Sequence, residues 1–275
     1  PYEALTFPID SNLISYPDII NGLAIAERSL GAFNERVFKS DLQDAYTLIH
    51  LVKLESLYST KIEGTQTTLE EVYEFDADTQ TTSRSKDLEE VIRYQEALKY
   101  ASNECRNNPI TNKIIKQIHY LLLQGDVRKN SNFQAGEFRT QQNMVDKHVP
   151  PKAVDVPILM GNLERYINDD LRDDLPVLIK VALIHAQFET IHPFPDGNGR
   201  VGRVLIPLYL YKQGYIKSPH FFLSQELEKN KFKYYSYLQG TRTKTVEGYT
   251  KWLNFFFSSV KMQAERGIQF VNLLE

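Results

Sequence analysis

Cysteine is almost absent from this sequence of 275 residues, which contains one, Cys105. A single cysteine excludes an intrachain disulfide and a cysteine-rich zinc site, and scarcity of cysteine is typical of proteins from a reducing compartment. The surrounding segment SNECRNN is polar and contains no histidine. We therefore interpret Cys105 as structurally incidental and expect a cytoplasmic protein.

Long apolar runs and an excess of basic residues are also missing. No stretch approaches the length of a membrane-spanning helix, and the opening PYEALTFPID lacks the basic and apolar regions of a signal peptide. The formal net charge of −3 argues against general nucleic-acid binding, which a basic surface favours. The composition, with 42% hydrophobic residues, predicts a soluble globular protein that binds neither membrane nor nucleic acid through these residues.

Helical periodicity dominates the patterns that are present. Apolar residues recur at three-to-four spacing in DLQDAYTLIHLVKLESLYST, which predicts a long helix. It should end near Gly64, because glycine accepts the left-handed cap after a last turn. Thr68 and Glu71 are spaced as the capping box of a following helix. Further helical patterns are DLEEVIRYQEALKY, TNKIIKQIHYLLL, VPILMGNLERYIND and DLPVLIKVALIHAQFE, of which the last is apolar at nearly every position and should be central and buried.

The segment AGEFRTQQNMVDKHVPPKAVDVPIL breaks this helical pattern. Its glycine, tandem prolines and isolated β-branched residues predict a short hairpin or an extended loop. It is the best candidate for strand structure in the chain. The predicted fold class is therefore all-α with one short β-hairpin.

The segment IHPFPDGNGRVGR, residues 191–203, concentrates the residues that can carry chemistry. Its prolines end the preceding helix, and a glycine-rich turn leads into a second helix at about Asn198. Exposed amides and the dipole at a helix N-terminus form an anion site, most naturally for phosphate. Arg200 and Arg203 extend the positive field on one face of that helix.

Asp196 and His192 supply the remaining chemistry of this segment. A carboxylate such as Asp196 is a hard oxygen ligand, which suits a magnesium ion that also binds substrate phosphates. His192 is the group in the segment that takes a proton near neutral pH. These parts together predict phosphoryl or nucleotidyl transfer from a magnesium nucleotide. The glycine spacing is too short for a Walker P-loop, and no lysine follows the second glycine.

From His192 to Arg203 the sequence matches HxFx(D/E)GNGRxxR at every defined position, and it thereby resembles the Fic-domain family. GEFR, VPP and HAQFETIHPF extend the resemblance over most of the chain. Fic proteins typically transfer AMP from ATP to a Ser, Thr or Tyr hydroxyl of a target protein. Their fold is an all-helical core with a β-hairpin flap that registers the target backbone by β-augmentation. Here the flap corresponds to about residues 141–149, with Met144, Val145 and Asp146 at its centre.

The resemblance also implies a role for each matched position. His192 would be the general base on the target hydroxyl, and Asp196 would bind the magnesium ion that bridges the α- and β-phosphates. Asparagine occurs in family members near Arg242, where it contacts the nucleotide, and the arginine here departs from that pattern. Of the implied nucleotide-binding residues, Gly197, Asn198 and Gly199 would form an anion hole, and Arg200 and Arg203 would hold phosphates. Val201 and Gly202 complete the first turn of the helix. The set also contains the inhibitory Glu63 and two positions that would pack on adenine, Tyr235 and Leu238.

A second motif, YSTKIEGT, stands far upstream. Its Ser59, Glu63 and Gly64 match the family's inhibitory motif (S/T)xxxE(G/N). A carboxylate near Arg203 would form a forked ion pair and occupy the place of the γ-phosphate. The hypothesis is that Glu63 restrains the protein's own activity. In some relatives the same glutamate supports the reverse reaction, the removal of AMP.

Three regions follow from these assignments: a helical region with the inhibitory motif at 1–105, the catalytic core at 106–215 and a helical extension at 216–275. The expected co-substrate is ATP with Mg²⁺, and the expected partner is a target protein, with self-modification and a homodimer as further expectations from the family. The chain begins at Pro1 rather than at a methionine, so we expect a few residues to be missing from its front.

Three alternatives stay open at this stage. The site could use another phosphate-containing donor or remove AMP, although the two arginines favour a triphosphate. The chain could be a nucleotide-sensing module that Glu63 keeps closed, although pure binding requires no base at His192. It could also be a shortened DNA-linked regulator, because some relatives continue into a winged-helix segment near where this chain stops.

Overall fold

The computed structural model describes residues 1–39, 45–77, 85–124, 134–145, 148–169, 171 and 173–274. Short 3-10 helices at Ser11–Leu13 and Ala153–Asp155 accompany the α-helices of these ranges. The α-helices in chain order are α1 Tyr16–Lys39, α2 Ala45–Glu63, α3 Leu69–Ala77, α4 Lys86–Asn107, α5 Asn112–Leu123, α6 Val156–Ile167, α7 Val177–Ile191, α8 Asn198–Lys212, α9 Ser224–Lys229, α10 Lys231–Thr241 and α11 Val246–Leu274.

The predicted all-α class is confirmed, and the predicted hairpin is smaller than expected. In the described ranges the extended segment forms a single antiparallel bridge, in which the N–H of Val145 and that of His148 each donate to the other's carbonyl at 2.9 Å. Met144 is 72% exposed beside this bridge. Asp146, the third flap position, lies outside the described residues.

The end of α2 and the start of α3 follow the predicted signals. Helix α2 ends at Glu63, and Gly64 has a φ of +112°, the left-handed region that glycine adopts without strain. The Thr68 N–H donates to Glu71 Oε2 at 2.7 Å, and the Glu71 N–H donates to Thr68 Oγ1 at 3.3 Å. This reciprocal capping box directs the chain away from α2 and leaves Glu63 at the helix end.

Helix α7 is the centre of the core, as its apolar sequence predicts, and almost all of its residues are buried. Helix α8 packs along it, and α11 packs along both α1 and α10. Trp252 of α11 is fully buried and donates its indole N–H to the carbonyl of Ala182 at 2.9 Å. Helix α2 lies against α4, α8 and α9, which brings its C-terminal end to the N-terminus of α8. No helix within the described ranges is both long and apolar enough to cross a membrane.

Gly248 permits the close approach of α11 to α10. A Cβ atom at this position would lie 2.2 Å from the carbonyl oxygen of Gly240 and 2.9 Å from its carbonyl carbon. We therefore expect Gly248→Ala to lower the free energy of unfolding by about 1–3 kcal/mol, because backbone must move to admit the methyl group. Urea unfolding followed by circular dichroism measures this change.

Gly161 of α6 provides the matched control for that substitution. A Cβ atom there would meet nothing within 4 Å, so Gly161→Ala should stabilise the protein by roughly 0.5–1 kcal/mol through helix propensity and reduced chain entropy. Equal stability of the two alanine variants would contradict the packing argument.

Candidate active site

The end of α2 meets the first turns of α8 in a buried ion pair. Arg203 Nη2 lies 2.6 Å from Glu63 Oε1, and the side chain of Arg203 is 1% exposed. Its Nε donates to Ser59 Oγ at 2.8 Å, and its Nη2 also donates to the carbonyl of Ser59 at 2.9 Å. Two motifs that are 140 residues apart in sequence are thus brought together.

Glu63 occupies the N-terminal end of α8, where an anion is most stable. A Cβ atom on Gly199 would lie 2.6 Å from Glu63 Oε1 and 2.8 Å from Arg203 Nη1. Only a glycine leaves room for the carboxylate at this distance. The helix dipole and the first-turn amides favour negative charge, and the carboxylate lies where the sequence predicts an anion site.

The second arginine of the signature is held by a carboxylate that sequence reasoning missed. Arg200 Nη1 lies 3.1 Å from Glu90 Oε2, and the side chain of Arg200 is 4% exposed. Glu90 belongs to α4 and lies in an ordinary charged run, DLEEV. No local pattern distinguishes it from the neighbouring Glu89.

The loop between α7 and α8 is braced by the side chain of Asn198. Its Oδ1 accepts from the Phe194 N–H at 2.9 Å, and its Nδ2 donates to the Phe194 carbonyl at 2.9 Å. The amide side chain therefore shapes the loop, and the backbone N–H of Asn198 is the group that would serve the predicted anion hole. Gly197 turns the chain with a φ of +75°.

His119 holds the same loop from α5. Its Nδ1 accepts from the Gly136 N–H at 2.8 Å, so the proton of the neutral ring is on Nε2, which donates to the Asp196 carbonyl at 2.9 Å. Burial lowers the pKa of His119 to about 4. The ring stacks on Phe194 at a centroid distance of 3.8 Å. The backbone of Asp196 is thereby fixed, and its Oδ1 accepts from the Gly197 N–H at 2.6 Å.

His192 terminates α7 in a left-handed conformation with φ of +50°. Its backbone carbonyl and that of Ile191 accept from Arg139 Nε and Nη2 at 2.8 and 3.3 Å, and the Arg139 N–H donates to the Pro193 carbonyl at 2.8 Å. Arg139 is the last residue of GEFR. Its buried guanidinium satisfies carbonyls that the helix end leaves unpaired and so fixes the strained turn at His192.

His148 attaches the flap to α7. Its Nε2 donates to the Thr190 carbonyl at 3.0 Å, while its backbone pairs with Val145. Burial lowers the pKa of His148 to about 4, with Arg242 as the next cause. Burial, followed by Arg242 and His148, lowers the pKa of His192 to about 3, which keeps the imidazole in its neutral form.

Matches with known proteins agree with this geometry. The Fic/DOC family matches residues 109–210, and the Fic/DOC family N-terminal region matches residues 20–103; together these matches cover more than half of the chain. The chain belongs to the Fic/DOC family.

Named relatives of this Fic chain cover it to different extents. The protein adenylyltransferase Fic of Aedes aegypti is 36% identical over 152 residues, which are 54% of this chain and 28% of the relative. The protein adenylyltransferase Fic of Drosophila willistoni is 30% identical over 223 residues, which are 78% of this chain and 43% of the relative. This chain spans less than half the length of both relatives.

A solved structure supports the fold of the Fic chain independently of these sequences. The crystal structure of a Fic family protein from Desulfovibrio desulfuricans is 20% identical and has a TM-score of 0.76. The similarity covers 98% of this chain and 77% of that protein. At this identity the match establishes the fold.

The two positions assigned to adenine differ in this Fic chain. Tyr235 is 43% exposed and Leu238 is 4% exposed, so Tyr235 offers a ring to a ligand whereas Leu238 belongs to the core. Burial and, next, the charge of Glu63 raise the pKa of Tyr235 to about 12, which places this hydroxyl within the electrostatic reach of Glu63. The exposed ring and the anion site therefore share one region.

A buried chain of hydrogen bonds supports α8 beneath this region of the Fic fold. Tyr234 donates its hydroxyl to His185 Nε2 at 2.8 Å, and His185 Nδ1 donates to the Gly202 carbonyl at 3.1 Å. Burial lowers the pKa of His185 to about 3. His185 is thus a core histidine whose two ring nitrogens both have hydrogen-bond partners. Val201 and Gly202 are buried against this layer.

Proposed function

We propose that this chain is a protein adenylyltransferase that transfers AMP from Mg-ATP to a Ser, Thr or Tyr hydroxyl of a target protein and is restrained by Glu63. The observation that carries the proposal is the position of the Glu63 carboxylate, against Gly199 at the N-terminus of α8 and on Arg203. A carboxylate there takes the place of a phosphate. The relatives named protein adenylyltransferase support this assignment.

The phosphate-binding part of the proposal rests on the two arginines. Arg203 Nη1 is buried without a hydrogen-bond partner among the described residues and points toward Gly199. When Glu63 leaves, Arg203 can form a forked contact with a terminal phosphate. Glu90 holds the guanidinium of Arg200 in place. Arg200 lies three residues before Arg203 on the same face of α8, where an inner phosphate would lie.

The proposed chemical step requires one base and one leaving group. The neutral imidazole of His192 takes the proton of the target hydroxyl, and the hydroxyl oxygen attacks the α-phosphorus of ATP. The bond between the α-phosphorus and the bridging oxygen breaks, and pyrophosphate leaves with that oxygen. The helix N-terminus and the arginines stabilise the charge that develops on the phosphates.

Asp196 fits a magnesium ion at the edge of this site. Its carboxylate is held in place by the Gly197 N–H, and no cluster of three or more metal-binding side chains occurs among the described residues. Magnesium is usually bound by one or two carboxylates together with substrate phosphates and water. The bound ion would neutralise phosphate charge.

Hydrolytic removal of AMP is a second candidate, and Glu63 is the observation that favours it. The side chain of Glu63 is 33% exposed and stands beside the proposed phosphate site. A partly exposed carboxylate at that position can take a proton from an attacking water.

The position of the label in ATP tests the donor assignment. The Glu63→Gly protein is incubated with magnesium and ATP labelled at the α- or the γ-phosphate, alone and with a cell extract. We expect label on protein from α-labelled ATP alone, and label on the chain itself would report self-modification. Transfer from γ-labelled ATP would identify a phosphate donor, and ATP binding without transfer of either label would favour a nucleotide-sensing module.

A further inference from the structure

The last carbonyls of α7 require donors from outside the helix. Those of residues 190–192 are taken by Arg139 and His148, as described above. The preceding carbonyl, of Glu189, accepts from Arg242 Nη2 at 3.2 Å. Three cationic or histidine side chains from two segments thus close the helix end that leads into the loop between α7 and α8.

Arg242 reaches this helix end from the C-cap of α10. Its Nε contacts Thr190 Oγ1 at 3.4 Å, and its Nη1 donates to Gln239 Oε1 at 2.7 Å. The partners of this half-buried guanidinium are therefore an amide, a hydroxyl and a carbonyl. A cation at a helix C-terminus is stabilised by the helix dipole, and the buried carboxyl of Glu189 adds a favourable charge interaction with Arg242.

The charged and titratable groups that face His192 come from two segments of the chain. Arg242 approaches from the end of α10, while His148 and Arg139 approach from the segment before α6, and all three lower the pKa of His192 in addition to burial. The carbonyl of Glu189, in its own helix, acts in the opposite direction. Arg242 is the largest contributor after burial, and it also holds the carbonyl that the imidazole faces.

We propose that Arg242 is a positioning residue for AMP transfer, which fixes the last turn of α7 and keeps the His192 imidazole directed at the target hydroxyl. This proposal rests on the proposed role of His192 as the base. Because the guanidinium is engaged by α7 and by Gln239, we assign it to the catalytic helix rather than to the nucleotide contact of the family asparagine.

Steady-state kinetics in the Glu63→Gly protein test this role. Arg242→Gln removes the charge, Arg242→Lys keeps it without the forked geometry, and Lys244→Gln removes a nearby cation that lies over the Tyr2 ring instead. We expect Arg242→Gln to lower kcat about tenfold or more, because small displacements of a reacting group are costly, with an unchanged KM for ATP. Arg242→Lys should lower kcat less, and Lys244→Gln should leave both constants unchanged.

The pH dependence separates positioning from a general loss of stability. Removing the cation raises the pKa of His192, so a larger fraction of the base is protonated at a given acid pH. The acid limb of the kcat profile should therefore move to higher pH in Arg242→Gln and stay in place in Arg242→Lys. If Arg242→Gln lacks the native circular dichroism spectrum, Arg242→Lys provides the test instead. A fall in kcat at constant KM in Arg242→Lys then supports the proposal, and unchanged kcat and KM in that variant overturn it.

Histidine titration by NMR gives an answer that does not require transfer. The chain has six histidines, and the spectrum of a His192→Ala protein identifies the signal of His192. We expect this signal to titrate at higher pH in Arg242→Gln than in Arg242→Lys. If the Glu63→Gly parent transfers no AMP, the proposed function fails, while the titration still decides whether the charge of Arg242 acts on His192.

Two results would overturn the inference. A higher KM for ATP with an unchanged kcat in Arg242→Gln would assign Arg242 to nucleotide binding. An unchanged titration of His192, together with unchanged kinetics, would make the contact to α7 purely structural.

Discussion

Replacement of Glu63 by glycine is expected to raise the rate of AMP transfer by roughly 10- to 100-fold, since a hydrogen bond to a charged group contributes about 1.5–3 kcal/mol and each 1.4 kcal/mol corresponds to a factor of ten. With Glu63 in place, two nitrogens of Arg203, Nε and Nη2, donate hydrogen bonds to Ser59 and Glu63. On the proposed function, the γ-phosphate would have to displace the carboxylate before ATP is aligned for in-line attack. Initial rates with α-labelled ATP measure the change.

Two further variants separate the loss of the carboxylate from the effect of a glycine. Glu63→Gln keeps a polar side chain but loses the charge, so it should give an intermediate rate. Lys61→Gly places glycine in the same last turn of α2, where Lys61 pairs with Glu228 at 3.5 Å on a half-exposed surface, and it should leave the rate low. Equal rates in the unaltered and Glu63→Gly proteins would show that the ion pair does not limit transfer.

The contact between the two motifs follows from sequence because each motif constrains its own helix end. Glycine after Glu63 stops α2, and the glycine-rich loop before Arg200 starts α8. Opposite charges at these two ends then identify the pair once the motifs are recognised. The close approach of the Glu63 carboxylate to Gly199 cannot be predicted from the sequence alone, because it depends on how α2 packs between α4, α8 and α9.

The groups that position the catalytic loop are much harder to predict. His119, His148 and Arg139 donate hydrogen bonds to backbone carbonyls. Every residue has a carbonyl, so the sequence does not show which one is contacted. Glu90 acts on a side chain, but it lies on a helix face with several equivalent acids. In each case the partner is distant in sequence, and only the packing of helices determines which polar residue reaches it.

Among its described residues, the extended segment that contains the flap forms fewer strand pairs than its composition predicts, because other partners use its backbone. The Arg139 N–H donates to Pro193, and the Val149 carbonyl accepts from the Tyr2 N–H at 2.8 Å. Pro150 has no N–H to donate. Val145 and His148 form the antiparallel bridge that the described residues retain.

Helical spacing explains the difference between Tyr235 and Leu238. Leu238 stands four residues after Tyr234, which places both on the buried face of α10. Tyr235 is one position further round the helix and points outward. A periodicity argument applied to this helix alone therefore favours Tyr235 over Leu238 as a residue that contacts the nucleotide.

Substitution of His192 is expected to have the largest effect on the reaction. In the Glu63→Gly protein, His192→Ala should lower the transfer rate by about 10²- to 10⁴-fold, the usual contribution of a general base. ATP binding should persist, because Arg200, Arg203 and the N-terminus of α8 hold the phosphates. Labelled transfer and calorimetric ATP binding, measured on the same preparations, distinguish the two steps.

The left-handed backbone of His192 requires a matched variant. Alanine with a φ of +50° adds strain of about 1 kcal/mol, whereas asparagine tolerates this conformation and cannot act as a base at neutral pH. His192→Asn should therefore lose transfer as completely as His192→Ala while unfolding at a temperature closer to that of the parent. Retention of transfer in His192→Asn would remove His192 from the chemical step. Loss of ATP binding in both variants would instead assign the histidine to the nucleotide site.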